Sequence, residues 1–299
     1  MRILLTGTRG QVGGALFPLL RDEHTVLAPT RGEFDLSKPE SLAGKLDALK
    51  PDLIINPAAY TAVDKAEDES ALAFLVNGDA PAVLARWAAA HGAPMVHFST
   101  DYVFDGAGSR LWREDDPTAP LSVYGRSKLA GESAVRSAGC EHLVVRTAWV
   151  YAAQGANFLR TIARLARERA ELRIVADQFG APTSAALIAD AVCHIVATNG
   201  AALAERFAAA GGLVHMTALG ETNWHGFATA IVDGLKARGV ALAATQITPI
   251  ATADYPTKAR RPANSRLDLT RLRHAFGVTT PPWDDALEPE LELLAAELA

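Results

Sequence analysis

Three side chains near the middle of the chain have the types and spacing needed to move a proton at a carbonyl group. Tyr124 and Lys128 are four residues apart, and Thr100 precedes the tyrosine by 24 residues. On a helix, residues four apart lie on one face, so the phenol and the ammonium group can enter the same pocket. A neighbouring lysine favours the phenolate and lowers a tyrosine pKa, which would make Tyr124 a proton donor or acceptor near neutral pH. We expect the Thr100 hydroxyl to hydrogen-bond a substrate carbonyl beside it.

A glycine-rich segment at the start of the chain predicts a phosphate-binding loop. Residues 7–13 (GTRGQVG) follow an apolar run over 2–6, which predicts a buried strand, and precede a predicted helix over 12–20. Strand, glycine turn and helix form the context that a dinucleotide-binding motif requires. The glycines let the backbone approach a pyrophosphate, whose charge lies at the helix N-terminus. A glycine turn without a ligand is the less favoured interpretation.

The elements that must position these residues alternate along the chain. Apolar runs predict further strands at 24–28, 53–55, 95–98 and 143–145, and helical patterns separate them at 40–49, 70–91 and 122–138. This alternation predicts an α/β fold with a doubly wound parallel sheet. Because such sheets bind ligands at the carboxyl ends of their strands, we expect the glycine loop and residues 56–59, 99–101 and 147–149 to lie on one edge.

Composition and charge narrow the possible function. A chain of 299 residues allows one large or two smaller domains. The net charge is −5 and no long basic run occurs, which argues against a nucleic-acid partner. No apolar run reaches membrane-spanning length, and the N-terminus lacks a signal-peptide pattern. Cys140 and Cys193 have no metal-ligand spacing and do not indicate a disulfide scaffold. We therefore predict a cytoplasmic enzyme without a membrane partner.

Motifs over nearly the whole chain resemble one enzyme family. The glycine loop, Asn56-Pro57-Ala58-Ala59, Thr100, and Tyr124 with Lys128 resemble the extended short-chain dehydrogenase/reductase family. More specific motifs resemble the branch of that family that reduces a 4-keto group on a dTDP-linked deoxy sugar. These are residues 60–67 (YTAVDKAE), 99–106 (STDYVFDG), 146–151 (RTAWVY), 177–183 (DQFGAPT) and 260–265 (RRPANS).

The resemblance implies a Rossmann-type sheet that binds NADPH or NADH, with Lys128 on the nicotinamide ribose, where it would lower the Tyr124 pKa. The second predicted strand is followed by Pro29-Thr30-Arg31, without the acidic residue that often holds a ribose 2′-hydroxyl. Arg31 could instead meet a 2′-phosphate, so we predict that NADPH is used at least as well as NADH. The implied cofactor-binding residues are Gly7, Gly10, Gln11, Val12, Gly13, Arg31, Asp35, Leu36, Ala58, Ala59, Tyr60, Tyr124 and Lys128.

The resemblance also implies the reaction: reduction of the C4 ketone of dTDP-4-dehydro-6-deoxy-L-mannose, with Tyr124 as proton donor and Thr100 polarising the carbonyl. The implied substrate-binding residues are Thr61, Val63, Thr100, Asp101, Tyr102, Tyr124, Trp149, Arg260 and Arg261. From residue type alone, Trp149 could be a core aromatic, Asp101 could cap a turn, and the two arginines could be solvated surface charges.

The second half of the chain is implied to form a smaller C-terminal α/β substrate-binding lobe. We predict a nucleotide-binding domain over residues 1–150 with a return segment at about 183–218, and a substrate lobe over 151–182 and 219–299. Predicted helices span 157–169, 184–198, 222–238, 267–276 and 283–298, with a Thr222 cap on the third and Gly239 just past its end. The alanine-rich stretch 201–210 is predicted to be a helix or a surface insertion.

Assembly and two alternative functions complete the predictions. Some family members are described as dimers joined by a magnesium ion held by glutamates, one of them early in the first helix. Residues 12–17 contain no carboxylate, so we predict no metal and a monomer or weak homodimer. Two alternatives stay open: another sugar-nucleotide epimerase or dehydratase of this family, and a non-catalytic protein like the regulatory subunit of methionine adenosyltransferase that resembles these reductases.

Overall fold

The computed structural model describes residues 1–298, without the side chain of Ala201; Ala299, the last residue of the predicted substrate lobe, lies outside it. The strands are β1 (Arg2–Leu5), β2 (Thr25–Leu27), β3 (Leu53–Asn56), β4 (Met95–Thr100), β5 (His142–Thr147), β6 (Val150–Tyr151), β7 (Glu171–Val175), β8 (Phe179–Gly180), β9 (Thr183–Ser184), β10 (Leu213–His215), β11 (Thr222–Asn223) and β12 (Gln246–Ile250). The α-helices are α1 (Gln11–Arg21), α2 (Leu42–Leu49), α3 (Val63–Ala66), α4 (Ser70–Phe74), α5 (Ala80–His91), α6 (Val123–Ser137), α7 (Phe158–Glu168), α8 (Ala185–Asn199), α9 (Leu203–Ala209), α10 (Trp224–Ala237), α11 (Thr270–Phe276) and α12 (Trp283–Leu298).

A six-stranded sheet with the order β2-β1-β3-β4-β5-β10 forms the centre of the molecule, and every neighbouring pair in it is parallel. Successive residues of a strand point to opposite faces. Ile3 therefore packs with Leu16 and Ile188 on one face, while Leu4 packs with Leu42 and Leu84 on the other. With helices on both faces, this is the doubly wound sheet that the alternation predicted.

The helix predicted over 70–91 contains a change of helix type. Between α4 and α5, residues Leu75–Asp79 form a π-helical turn, and Pro81 lies in the first turn of α5. Proline has no N–H to donate, so it is tolerated at the start of a helical segment. The π turn buries Asn77 and Gly78, and single π turns occur often at functional sites.

A second apolar cluster lies in the C-terminal half, built from α7, α10 and α12. Its largest fully buried side chains include Tyr151, Leu159, Ile162, Phe227 and Ile231. Two-stranded pairings β6–β9, β7–β12 and β8–β11 flank this cluster. The predicted return helix, α8, packs instead on α1 with the central sheet. The domain boundaries themselves stay a prediction.

Two predicted helix starts were wrong. Helix α10 is capped by Asn223, whose Oδ1 accepts the Gly226 N–H at 2.8 Å. Thr222, the predicted cap, lies one residue too early, and its hydroxyl donates to the Asn223 carbonyl instead. Helix α11 starts at Thr270 instead of residue 267, because Leu267 is held in a bridge with Trp112.

The alanine-rich stretch contains helix α9, and its Leu203 and Phe207 are buried in the cluster beneath α8. Within residues 1–298, no single helix is long and apolar enough to cross a membrane. The bent pair Ala185–Asn199 and Leu203–Ala209 passes that test by length and composition only.

Candidate active site

The carboxyl edge of the sheet brings the predicted segments together. The glycine loop follows β1, Asn56 ends β3, Thr100 ends β4 and Thr147 ends β5. Thr100 and Thr147 are direct register partners on neighbouring parallel strands. The sequence prediction that these segments share one edge is therefore confirmed.

The glycine loop has the shape of an anion cradle. Gly7 has a φ of +64°, and a Cβ on Gly13 would lie 2.3 Å from the Gly7 carbonyl oxygen. The Gly10 N–H donates to that oxygen at 2.8 Å, and no side chain caps α1 at Gly10. The first N–H groups of α1 have no intrahelical acceptor and point out of the helix. The loop therefore fits a diphosphate at a helix N-terminus.

The residues expected near the adenine end differ in exposure. Arg31 is 81% exposed, and its Nε lies 3.9 Å from Asp35 Oδ1. The Asp35 pKa is lowered by hydrogen bonds from the hydroxyl and the N–H of Ser37. Leu36 is buried in the apolar cluster with Leu42, so its side chain packs in the core.

The segment after β3 is anchored to the glycine loop and to the π turn. The Ala58 N–H donates to Thr6 Oγ1. Ala58 also packs closely on Gly7, because its atoms are the nearest to a Cβ that a larger residue would carry there. The Tyr60 backbone is held on both sides by the Asn77 amide, at 2.8 and 3.0 Å. The Tyr60 hydroxyl donates to Glu69 Oε2 at 2.6 Å, which raises the Tyr60 pKa to about 12. Ala59 lies between these anchors and is half-buried.

Thr100, Asp101, Tyr102 and Tyr124 form one cluster. Helix α6 starts just before Tyr124, capped by Ser122. The Tyr124 ring meets Tyr102 edge-on, with centroids 5.7 Å apart. Thr100 Oγ1 donates to Asp101 Oδ1 at 2.9 Å and accepts the Tyr102 N–H at 3.2 Å. Thr100, and not Asp101, therefore caps the turn that follows β4.

The electrostatics of this cluster contradict one prediction. Burial, then the nearby Asp101 carboxylate, raise the Tyr124 pKa above its ordinary value, and the Thr100 hydroxyl only partly offsets them. The expectation that Lys128 lowers this pKa was wrong. Lys128 Nζ donates to the Phe98 carbonyl at 2.6 Å, and burial lowers the lysine pKa to about 8. Tyr124 is thus a protonated phenol at neutral pH, suited to give a proton.

Asp101 is the buried carboxyl group of the site. It is 2% exposed, and among residues 1–298 its Oδ2 has no hydrogen-bond partner of good geometry. Burial raises its pKa to about 6, although the Ser265 and Thr100 hydroxyls lower it in part. Asp101 can therefore change its charge close to neutral pH.

The contacts among buried polar groups near the site were not predicted from the sequence. Both oxygens of Glu132 accept from Arg146, at 2.9 and 2.7 Å, and both side chains are 2% exposed or less. Thr6 Oγ1 donates to Asn56 Oδ1 at 2.6 Å, and the Asn56 amide nitrogen lies 3.1 Å from His97 Nδ1. The i, i+4 spacing from Lys128 to Glu132 was a usable signal.

The segments expected around the sugar form a cleft wall. Thr61 is exposed and Val63 is half-buried. Asp64 Oδ2 accepts from Arg261 Nη2 at 2.8 Å, whereas Arg261 Nη1 is buried without a partner in the part of the chain described. Arg261 also lies beside Tyr102, where its charge opposes the rise in the Tyr102 pKa that burial and Asp101 cause. Arg260 is exposed.

Trp149 lies outside the core. It is half-buried and follows the carboxyl end of β5 with a φ of +50°. Its ring stacks on Trp224 with a centroid distance of 3.7 Å and an interplanar angle of 12°. A bulky residue with a positive φ is a genuine outlier, and such backbone strain concentrates at functional sites.

Residues 1–298 contain no group of three or more His, Cys, Asp or Glu side chains that could hold a metal ion. The expected lack of a bridging metal stays a prediction.

Comparison with known proteins identifies the family. The model of the RmlD substrate binding domain matches residues 1–295. A dTDP-4-dehydrorhamnose reductase from Burkholderia thailandensis is 52% identical over 287 residues, which cover 95% of each chain.

Solved structures agree with that match. The crystal structure of a dTDP-4-dehydrorhamnose reductase from Clostridium acetobutylicum superposes with a TM-score of 0.89 at 34% identity, covering 98% of this chain and 99% of that one. The enzyme of the same name from Bacillus anthracis, solved in complex with NADP, gives 0.88 at 30% identity, with 97% and 98% covered. These matches, on a sheet whose carboxyl edge carries a glycine loop beside Thr100, Tyr124 and Lys128, show that the chain belongs to the dTDP-4-dehydrorhamnose reductase family.

Proposed function

We propose that the chain catalyses the NAD(P)H-dependent reduction of the C4 ketone of dTDP-4-dehydro-6-deoxy-L-mannose to dTDP-L-rhamnose. The observation that carries this proposal is the meeting of a protonated Tyr124 with Thr100 and Asp101 at the sheet edge that holds the glycine loop. The family to which the chain belongs supplies the substrate class.

The residues of the cofactor site have distinct tasks in this proposal. The first N–H groups of α1, at Gln11, Val12 and Gly13, bind the diphosphate. Ala58, Ala59 and Tyr60 line the channel above the sheet. Lys128 donates one proton to the Phe98 carbonyl and has two further donors for the ribose hydroxyls. The bound reduced nicotinamide supplies the hydride that is added to C4.

The proton for the new hydroxyl comes from the protein. Tyr124 gives its phenolic proton to the ketone oxygen as negative charge develops there. Because burial and Asp101 raise the Tyr124 pKa, the phenol holds that proton until the oxygen becomes more basic. The Thr100 hydroxyl turns from Asp101 to the same oxygen and stabilises the charge.

The substrate is held between the two apolar clusters. Asp101 and Tyr102 face the sugar from the sheet edge, and Thr61 and Val63 form the wall before α3. Trp149, which follows β5, forms the opposite wall, where it stacks on Trp224 of the lobe over 151–182 and 219–299. Arg261, which lies beside Tyr102, is assigned to the diphosphate, since guanidinium groups bind such oxygens well, and the exposed Arg260 lies toward the nucleotide end.

Replacement of Tyr124 by Phe tests the proposal. Loss of a general acid typically lowers a rate by about 10²- to 10⁴-fold, so kcat should fall by that factor while the Kd for NADPH stays unchanged. NADPH oxidation is followed by absorbance with the dTDP-4-keto sugar as acceptor. Tyr151→Phe is the matched control, because the Tyr151 hydroxyl has no partner among residues 1–298. Comparable turnover in Tyr124→Phe would overturn the mechanism.

The same assay separates the alternatives. Stoichiometric NADPH consumption with a dTDP-rhamnose product supports the reductase. An epimerase or dehydratase would turn over without net consumption, and a regulatory subunit would bind the cofactor without turnover. Thr100, Tyr124 and Lys128 are all present, which favours catalysis.

Arg31 provides a test of cofactor preference. It is exposed in the turn that follows β2, and its only ion-pair partner in the described chain is Asp35 at 3.9 Å. It is thus available for a 2′-phosphate, and we expect Arg31→Ala to lower kcat/KM for NADPH several-fold, a loss of about 1 kcal/mol. The value for NADH should not change. A wild-type enzyme with a strong NADH preference would contradict this assignment.

For assembly and location, we propose a monomer or weak homodimer without a bridging metal, in the cytoplasm, where NADPH and dTDP sugars are available. Helix α1 carries no carboxylate in its first turn. Light scattering with magnesium and with a chelator checks the assembly, and a dimer that chelation dissociates would refute it.

A further inference from the structure

We propose that Gly180 and Trp224 are positioning residues that fix the indole of Trp149 in the substrate cleft. This assignment gives a task to the motif at 177–183, which the catalytic proposal does not use. The inference rests on the proposed function, because that function places Trp149 against the sugar.

The Trp149 backbone has an unfavourable conformation, and a residue of the motif at 177–183 holds it there. Its φ of +50° lies in a region that bulky L residues rarely occupy. The Thr183 N–H donates to the Trp149 carbonyl at 3.2 Å, and β6 pairs with β9 in the register Val150↔Thr183. Thr183, at the end of the motif, thus fixes the direction in which the Trp149 side chain leaves the backbone.

Trp224 fixes one face of the indole. The two rings stack with centroids 3.7 Å apart. Trp224 is itself held, because its Nε1 donates to Gln178 Oε1 at 3.1 Å. Gln178 is only 5% exposed, and its Nε2 donates to Thr252 Oγ1 at 3.0 Å. The first half of the motif therefore sets the orientation of the ring on which Trp149 rests.

Gly180 fixes the edge of the same indole. A Cβ at position 180 would lie 2.8 Å from Trp149 Cε2, 3.0 Å from Cζ2 and 3.1 Å from Nε1. Backbone pairing of Thr222 with Gly180 ties this contact to the start of α10, where Trp224 lies. Any side chain at 180 would push the indole away from the place that Trp224 gives it.

The position of Trp149 makes this bracing relevant to substrate. Trp149 is two residues from Thr147, the register partner of Thr100. One face of its indole is covered by Trp224, and the side chain as a whole is only half-buried. An indole face suits the apolar C–H groups of a deoxy sugar, so the bracing should control KM for the sugar nucleotide and not cofactor binding.

Gly180→Ala and Trp224→Phe test the inference. We expect KM for the dTDP-4-keto sugar to rise about tenfold, as loss of a good aromatic contact does, while the Kd for NADPH stays within about twofold, within the error of such comparisons. Gly44→Ala is the glycine control, since a Cβ there meets nothing within 4 Å. Trp87→Phe is the tryptophan control, because Trp87 also stacks on a ring and donates through Nε1, to Asp47.

A double variant distinguishes positioning from general damage. Alanine lacks all three of the indole atoms that the added Cβ would meet. In a Trp149→Ala background, Gly180→Ala should therefore raise KM much less than in the wild type, which is a non-additive pair. An equal rise in both backgrounds would overturn the inference.

Circular dichroism tests the bracing without activity. Closely stacked indoles give an exciton couplet, which Trp224→Phe should abolish and Gly180→Ala should reduce. A couplet unchanged by Gly180→Ala refutes the inference, whatever the enzyme does. Absence of NADPH oxidation by the wild type, with the couplet changes as expected, refutes the proposed function instead.

Discussion

At the scale of single residues, burial of the Asp101 carboxyl group lowers the stability of the folded protein at neutral pH while it places that group in the site. Its folded-state pKa of about 6 lies above the ordinary value of 3.8, because the carboxyl group is buried. Between these two pH values the folded protein binds more protons than the unfolded chain, so its stability falls as pH rises. Above pH 6 the full cost of an ionised, buried carboxylate is present.

We therefore expect Asp101→Asn to increase the free energy of unfolding at pH 7 by about 1–3 kcal/mol, since each pKa unit is worth about 1.4 kcal/mol. The difference from the wild type should vanish below pH 3.8, where the Asp101 carboxyl group is protonated in both the folded and the unfolded protein. Urea denaturation at both pH values measures it. Asp233→Asn, on an exposed face of α10, should change little, and a destabilised Asp101→Asn at pH 7 would contradict this account.

Residue types and spacing were enough to predict the strand that ends at Thr100 and the helix that carries Tyr124 and Lys128. They were not enough to give the direction of the Tyr124 pKa shift. That shift depends on Asp101 folding against the phenol while Lys128 turns to the Phe98 carbonyl, and both are tertiary contacts. The positive φ of Trp149 likewise has no local signal in its own sequence.

At the scale of elements, α6 is joined to β5 by a buried ion pair. Glu132 lies one turn after Lys128, and its two oxygens hold Arg146 in a bidentate pair. The Arg146 guanidinium also lies 5.0 Å from the Phe104 ring centroid and donates to the Glu114 carbonyl. The pair therefore fixes the position along β5 of helix α6, which carries Tyr124 and Lys128.

Breaking this pair on one side should be costly. Removal of one partner of a buried ion pair typically destabilises a protein by about 3–5 kcal/mol, because a buried charge is left uncompensated. We expect that loss for Glu132→Gln, measured from the midpoint and slope of urea unfolding. Replacing both residues, as Glu132→Leu with Arg146→Met, should restore much of the loss.

The matched control for this pair lies on α7. Arg164 and Glu168 pair at 2.8 Å but are 61% and 51% exposed, so Glu168→Gln should cost no more than about 0.5 kcal/mol. Equal losses for Glu132→Gln and Glu168→Gln would show that the buried pair does not hold α6 on the sheet.

Long periodic elements were predictable and short paired ones were not. The helix predicted over 122–138 is observed at Val123–Ser137, and the run 53–55 is observed at Leu53–Asn56. Two-residue strands such as β8 and β11 exist only through their partner, which is distant in the sequence. The π turn at Leu75–Asp79 is set by packing on α6, since Gly131 lies against the Asn77 carbonyl.

At the scale of the whole molecule, one C-terminal segment bridges the two halves. Lys258 pairs with Asp68, the Ala259 N–H donates to Asp64 at 3.0 Å, and Arg261 pairs with Asp64. A few residues later, the Asn264 N–H donates to the Gly106 carbonyl, and the Phe179 N–H donates to the Ala263 carbonyl. The motif at 260–265 could be singled out from the sequence, but these distant partners could not.

This bridge makes the last prediction a contrast between two aspartates. Asp64 orients the half-buried Arg261 through Nη2, and Arg261 Nη1 is buried without a partner within residues 1–298. Asp68 pairs with Lys258, and both of these side chains are more than half exposed. Such pairs contribute only about 0–1 kcal/mol.

Asp64→Asn should therefore raise KM for the dTDP-4-keto sugar several-fold, which corresponds to about 1–2 kcal/mol of lost charge-assisted hydrogen bonding. Asp68→Asn should leave that KM unchanged, and neither variant should alter the Kd for NADPH. Steady-state kinetics at fixed saturating NADPH measure the difference. Equal KM values for the two variants would mean that Arg261 needs no orientation by Asp64 to meet the diphosphate.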